Sequence, residues 1–417
     1  MKVCFFRKVL CSLILKGFLS GVLFKGKVLL REEFWCGIRR KVARRLVMKS
    51  KVYFVDLSVE GKKSLLEKLP KLLAPFDLAQ RFRKGSLVGV KLHFGERGNL
   101  AYLRPQWLRK LVEILKAIPV KPFLTDSNTL YKGSRSDAVV HLETAILNGF
   151  DYAVVGAPLI IADGLRGNSY ELVKLDLPLL QEFYVAKEIY RADGLMVVSH
   201  FKGHELSGFG GAIKNIGMGG AARKGKLQQH STIAPKVNKK KCAACGTCQE
   251  FCPVGAPEWV KGAKKRRMRI NEKRCIGCGE CIAICPEGAI QVQWNEQAVP
   301  FMKKMAEYAL AVLSNKRAKS LFISFITDVS PACDCYHFND YPVVRNLGLL
   351  ASEDPVAIDQ AAVDLVTQEP ALPGAKIQAG PGEDKFRALY PEIDWTVQLA
   401  HAQEIGLGQR EYELVQL

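Results

Sequence analysis

The sequence predicts an α/β protein: a mostly parallel sheet with helices on both faces, interrupted by a smaller cysteine-rich module. Three observations predict it. From Lys51 onward, short runs dense in Val, Ile, Leu and Phe alternate with longer helical stretches. Eight cysteines fall into two evenly spaced runs between Cys242 and Cys285. Both runs lie inside the alternation rather than at an end of it. Strands that alternate with helices join through crossovers, which makes a sheet largely parallel. Strands covered on both faces read as continuous apolar runs, as these do.

In chain order, strands are expected at 52–57, 87–94, 122–126, 152–155, 194–199 and 321–326. Helices are expected between them at 62–73, 105–116, 137–148 and 179–191, with a long one at 297–315 before the last strand. Pro105 suits a first helical turn, where an N–H has no partner to lose. Ser136 stands where a side-chain oxygen can cap the next helix. Short strands at 236–238, 268–270 and 290–293 frame the cysteine runs. The expected division is an extension (1–47), a body in two parts (48–234 and 297–417) and an α+β insert (235–296).

With 48% hydrophobic residues in 417, the chain outside the insert can bury a full core. Half of the net charge of +20 lies in residues 1–47, where twelve Lys and Arg face only Glu32 and Glu33. No apolar stretch there reaches the roughly 18 residues of a membrane span. The basic residues do not share one helical face, and no small-residue cleavage site follows the apolar pieces. Met48 opens the strand-like MKSKVYFVDLS, so the folded protein is expected to begin there and 1–47 to be a mis-assigned start. The other cysteines are Cys4, Cys11, Cys36, Cys333 and Cys335. An odd remainder without disulfide spacing fits a reducing cytoplasm, the expected location.

The runs read Cys242-x2-Cys245-x2-Cys248-x3-Cys252-Pro253 and Cys275-x2-Cys278-x2-Cys281-x3-Cys285-Pro286. This is the bacterial two-cluster ferredoxin spacing, in which the fourth cysteine of each run ligates the other cube. Cys242, Cys245, Cys248 and Cys285 are therefore expected to hold one [4Fe–4S] cluster, and Cys275, Cys278, Cys281 and Cys252 the second. Gly246, Gly277 and Gly279 permit the close backbone approach that brings amides to the sulfurs. A zinc site needs only four ligands and does not call for two proline-closed runs. The insert is thus expected to be a ferredoxin-type electron carrier.

VGVKLHFGERGN (88–99), TDSNTLYKGSR (125–135), SHFKGHELSGFGGAIKNIGMGGAARKGK (199–226), CDCYHFND (333–340) and LLASEDPVAID (349–359) add a further signal. In combination with the cysteine runs, the chain resembles the iron–sulfur centre proteins of the family numbered 362 among domains of unknown function, over about 48–410. The resemblance implies an α/β body bearing a two-cluster ferredoxin insert. It implies no reaction.

The body is therefore read residue by residue. Gly208 to Gly220 is the most glycine-rich stretch, and such backbone can cradle anions or simply form a tight loop. Gly217-x-Gly219-x-x-Ala222 matches a dinucleotide fingerprint without a convincing preceding strand. Gly220-x4-Gly225-Lys226 matches a phosphate loop until Leu227. His93 follows one expected strand, Asp126 ends another, and His200 and His204 follow a third. In doubly wound sheets ligands bind beyond the carboxyl ends of strands. Cys333 and Cys335, with His337 nearby, follow the last expected strand. They fit an additional metal completed by His200 or His204, a redox-active thiol pair, or plain packing. His93, Asp126, His200, His204, Cys333 and Cys335 are expected to line one crevice beside the insert and to be its catalytic candidates.

Lys239 to Lys241 and Lys264 to Arg267 make the insert basic. No aromatic stacking platform accompanies them, so an acidic redox partner (a flavoprotein or a ferredoxin) is expected rather than nucleic acid or membrane. Two functions follow: an oxidoreductase whose clusters serve a small-molecule substrate in the crevice, or a non-catalytic carrier whose body docks a partner.

Overall fold

The computed structural model describes residues 49–59, 61–262 and 266–417. The expected start at Met48 and all of 1–47 lie outside the described residues. The strands open with β1 (Ser50–Asp56), β2 (Leu87–Lys91), β3 (Lys121–Asp126) and β4 (Leu159–Ile161). A hairpin of β5 (Tyr170–Lys174) and β6 (Glu182–Ala186) follows, then β7 (Gly194–His200) and the short hairpin β8 (Lys202–His204) and β9 (Gly208–Gly210). The insert holds β10 (Lys236–Val237), β11 (Pro257–Trp259), β12 (Met268–Ile270) and β13 (Ile290–Gln291). The chain returns to the body through β14 (Ser320–Ile326), β15 (Gly348–Ser352) and β16 (Tyr412–Gln416).

Eight strands form one sheet in the order β16-β1-β15-β14-β7-β2-β3-β4. All neighbours are parallel except β15, which runs antiparallel to both β1 and β14. The period of two sends successive side chains to opposite faces. Leu195 and Val197 of β7 join one core with Phe322 of β14, whereas Met196 and Val198 join the other with Leu321 and Ile323. The principal helices are α1 (Lys68–Leu73), α2 (Pro105–Lys116), α3 (Ala138–Leu147), α4 (Ala212–Gly217), α5 (Arg223–His230), α6 (Ala298–Leu313), α7 (Pro355–Gln368) and α8 (Thr396–Glu404). Helices α1, α2 and α3 cover one face of the sheet, and α4, α6, α7 and α8 the other. No helix among the described residues is long and apolar enough to cross a membrane.

Several expectations need correction. Tyr152–Val155 is one helical turn, not a strand: Asp151 caps it through the Val154 N–H and left-handed Gly156 ends it. Two good caps outweigh the β propensity of so short a run. The stretch 179–191 is not one helix but β6 followed by a short helix, Lys187–Arg191. Phe183 and Val185 alternate with half-buried neighbours at the strand period. Strand 87–94 ends at Lys91, and the cap of α3 is Asp137, not Ser136.

Between α5 and α6 the insert is built twice on one plan. β10 precedes the first cysteine run and pairs with β13, which follows the second; β11 follows the first run and pairs with β12, which precedes the second. The N–H groups of Lys241 and Cys242 both donate to the Asn238 carbonyl, and those of Arg274 and Cys275 to the Asn271 carbonyl. Its small core unites Val237, Cys248, Met268, Ile282, Cys285 and Ile290 with Leu130 and Leu227 of the body.

Candidate functional site

The eight insert cysteines separate into two groups. One cavity is lined by Cys242, Cys245, Cys248 and Cys285, the other by Cys252, Cys275, Cys278 and Cys281. Each group takes three residues from one run and the last from the other. Positive φ at Gly246, Gly277 and Gly279 folds the runs around these cavities, and Ala244 adopts φ 58 where the second run has Gly277. Gly279 also admits Arg223 of α5, whose Cδ would stand 3.0 Å from a Cβ there. Backbone N–H groups of Ala256 and Ala289 donate to the sulfurs of Cys252 at 3.3 Å and Cys285 at 3.2 Å. Burial, followed by the neighbouring Cys285, Cys245 and Cys242, pushes the Cys248 thiol up to about 11. Burial and its own neighbours push Cys281 up as well.

Among the described residues, no three His, Cys, Asp or Glu side chains are arranged to hold a metal ion. The donor set at each insert cavity is four cysteines, the ligand chemistry of an iron–sulfur cluster as well as of a single soft ion.

The second feature is a cavity of about 860 Å³ beyond the carboxyl ends of β2, β3 and β7. Parallel neighbours in register bring these ends to one edge. His93, Asp126, His200, His204 and Cys335 all line it, and Cys333 lies buried directly behind, bonded to the lining residue Lys214. The six candidates are therefore brought together. Leu130 lines this cavity and also packs in the insert core with Cys248 and Cys285. Lys132 reaches from the same loop to the carbonyls of Cys285 and Pro286.

The walls are cationic and closely paired. Lys91 Nζ lies 3.0 Å from Asp126 and donates to Asn215 Oδ1 at 2.7 Å. Burial raises the Asp126 carboxyl, but the surrounding groups, Lys91 foremost, together outweigh it and hold the group well below the usual carboxylate range. Arg135 Nε binds Glu96 at 3.1 Å, and Lys202 binds Asp334 at 3.1 Å. Asp334 also faces His200 Nδ1 at 3.3 Å, while His200 Nε2 meets the Thr327 carbonyl at 2.9 Å. Among the described residues no carboxylate lies within ion-pair distance of Lys226: it donates to the carbonyls of Ser127 and Asn128, and burial brings it down to about 8.

Burial holds His93, His204 and His230 well below the usual imidazole range, so these rings are neutral. Nδ1 of His93 accepts from the Gly95 N–H, which leaves its buried Nε2 as a donor with no protein partner. His204 stacks on Phe301, and His230 packs against Phe301 and Trp294. The cavity wall thus combines cationic groups with aromatic and neutral imidazole rings.

Cys333, His200 and His204 belong to no metal-holding group among the described residues. The Lys214 ammonium occupies the flank of Cys333, donating to Sγ at 3.0 Å. Burial would raise this thiol, but the bonded Cys335 thiol and Lys214 bring it down, while Cys335 moves up. The glycine stretch is strand β9 and helix α4. Helix, not strand, precedes Gly217, and Lys226 lies inside α5 with its ammonium on backbone carbonyls, so neither nucleotide fingerprint has its required setting.

Sequence reasoning missed Lys202, Lys214, Arg135, His230 and Asp334 as site residues. Lys202, Lys214, Arg135 and Asp334 stand within the motifs already singled out, and His230 stands four residues beyond the third of them. Gly203 positions the cysteine loop: its N–H donates to the Ser330 carbonyl at 2.9 Å, and a Cβ would stand 2.1 Å from the Pro331 oxygen. Gly203→Ala is expected to cost about 1–3 kcal/mol in a urea titration by overpacking, and to speed alkylation of Cys335 as the loop shifts.

The sequence family described as Domain of unknown function (DUF362) matches residues 88–364. No curated protein matches the chain. Among solved structures it is similar to the lactate racemase apoprotein from Thermoanaerobacterium thermosaccharolyticum, with 13% identity and a TM-score of 0.37 over 78% of this chain and 60% of that one. It is also similar to a protein from Thermotoga maritima, with 10% identity and a TM-score of 0.37 over 75% of this chain and 61% of that one. The chain therefore spans less than two thirds of either protein's length.

Proposed function

The chain belongs to the family described as Domain of unknown function (DUF362), a description without a reaction, and from its own side chains we propose that it is an iron–sulfur electron-transfer protein serving an anionic small molecule in its body cavity. The observation that carries this reading is the grouping of the insert cysteines, three from one run with the last of the other, around each of two cavities. Cys242, Cys245, Cys248 and Cys285 would hold one [4Fe–4S] cluster, and Cys275, Cys278, Cys281 and Cys252 the second. Bound there, each cluster supplies a one-electron couple whose potential responds to hydrogen bonds on its sulfurs. The Ala256 and Ala289 amides supply such bonds. Leu130 and Leu227 exclude water on the body side.

An anionic substrate class is supported by Lys91, Arg135, Lys202, Lys214 and Lys226 on the cavity wall. Neutral His93 and His204 are the candidate proton donors toward a bound molecule, since each ring turns Nδ1 to a protein donor and is left with its proton on Nε2. An acidic redox partner protein is the proposed electron source. Exposed Lys239, Lys240 and Lys241, immediately before Cys242, support that polarity.

Anaerobic purification with elemental analysis tests the reading. About eight iron and eight sulfide per chain are expected, with an electron paramagnetic resonance signal appearing on dithionite reduction. Stoichiometric zinc without iron overturns it.

A further inference from the structure

Cys333 and Cys335 flank Asp334 in a turn closed by the Tyr336 N–H, which donates to the Cys333 carbonyl at 3.2 Å. Such a turn keeps alternate α-carbons within the separation of about 4.4–6.8 Å that a disulfide spans. The two cysteines already touch: the Cys335 N–H donates to the Cys333 sulfur at 3.3 Å. Lys214 adds a second donor at 3.0 Å, with Asp334 Oδ1 at 3.6 Å from the same sulfur. An ammonium and an amide N–H on one buried sulfur favour the thiolate, which accepts more strongly than a neutral thiol. The loop is braced on both sides, by the Gly203 N–H on the Ser330 carbonyl and by the Tyr131 hydroxyl on the Cys335 carbonyl at 2.9 Å. Cys335 opens onto the cavity while Cys333 is 1% exposed. A buried thiolate, its lysine counter-ion and a cavity-facing thiol make a poor packing motif and a good redox pair.

We propose that Cys333 and Cys335 form a reversible dithiol–disulfide couple, a two-electron centre in the cavity wall. This rests on the reading of the insert as an electron carrier, which supplies the reductant class, low-potential iron–sulfur centres. On reduction the S–S bond takes up two electrons and one proton, leaving the Cys333 thiolate beside Lys214 and the Cys335 thiol facing the cavity. On oxidation the S–S bond re-forms and the same electrons and proton leave. Two one-electron centres hold between them the two electrons that this couple exchanges, which gives the pair its use beside the insert.

The full-length protein, purified anaerobically, is equilibrated with dithiothreitol buffers of graded oxidised-to-reduced ratio, denatured in iodoacetamide and digested. The peptide holding both cysteines is expected to pass from doubly alkylated to an unalkylated form lacking two hydrogens, and to return when the ratio is reversed. Lys214→Met is expected to slow bridging by diamide about fivefold at pH 7: the thiolate fraction falls, while the more basic sulfur recovers part of the rate. Cys335→Ser, or Cys335→Ala if serine disturbs the loop, is expected to keep its iron and lose the switch. Alkylation of both cysteines at every ratio, or a bridge from either to a different cysteine, overturns the couple, and an unchanged rate in Lys214→Met overturns the thiolate. A chain that shows the switch but binds no iron supports the couple and overturns the cluster reading, so the two are separable.

Discussion

Replacing Cys285 by Ser is expected to remove the cluster built on Cys242, Cys245 and Cys248 and to leave the one built on its own run. Iron content should fall from about eight to about four per chain. The reason is geometric: Cys285 shares a cavity with Cys242, Cys245 and Cys248, while Cys252 completes the group of Cys275, Cys278 and Cys281. Electron paramagnetic resonance of the reduced variant should lose the broadening that two interacting centres produce. Cys252→Ser should give the mirror-image loss. Damage confined to the cluster of the substituted cysteine's own run would show that the crossed assignment is wrong.

Lys91→Met carries the largest expected loss of stability, about 3–5 kcal/mol in a urea titration at pH 7. Lys91 is 2% exposed and Asp126 is 2% exposed, with 3.0 Å between their charges. Removing the ammonium leaves a buried carboxylate without its main partner, so the cost lies in stranding Asp126 rather than in the lost attraction. The double variant Lys91→Met/Asp126→Asn should recover a large part of the loss. The pH dependence has a definite sign. In the native protein the Asp126 carboxyl sits well below its ordinary 3.8, so its stabilising contribution is present above that value and fades only in stronger acid. Without Lys91 the largest opposing charge is gone, so the same carboxyl moves up from its native position and takes up its proton earlier as pH falls. The deficit of Lys91→Met should therefore shrink in acid, over the range in which the variant's carboxyl is protonated and the native one is still ionised. A deficit that grows in acid would refute this account of the pair.

The parallel part of the sheet was legible because its strands are covered on both faces. Runs such as Gly194–His200 and Ser320–Ile326 are buried throughout, and a run of that kind resembles little else. The crevice was legible for a related reason: parallel strands put their ends at one edge, and His93, Asp126, His200 and Cys335 all follow such ends. The stretch 152–155 misled because its valines were weighed and its caps, Asp151 and Gly156, were not. β15 was not anticipated, although GLLAS is buried at every position, because so short a run does not distinguish a strand from a piece of helix. Its antiparallel direction depends on partners in β1 and β14, which lie far away in the chain.

By itself, the sequence determined an α/β body, the two cysteine runs and the strand ends from which the cavity residues project. These are carried by local spacing: the period of a strand, the turn between two cysteines, a polar residue where an apolar run stops. The tertiary structure alone decided which charges meet. Lys214 stands 119 residues from Cys333 in the chain and 3.0 Å from its sulfur in space. Lys91 and Asp126 close across two adjacent strands, and Asp334 gathers His200 from the end of β7 and Lys202 from β8. Electrostatic partners are selected by distance in a folded interior of low dielectric, where a few ångströms decide between a stabilised ion and a costly one. Spacing along the chain contains no such distance, so the residues could be named in advance and their ionic pairings could not.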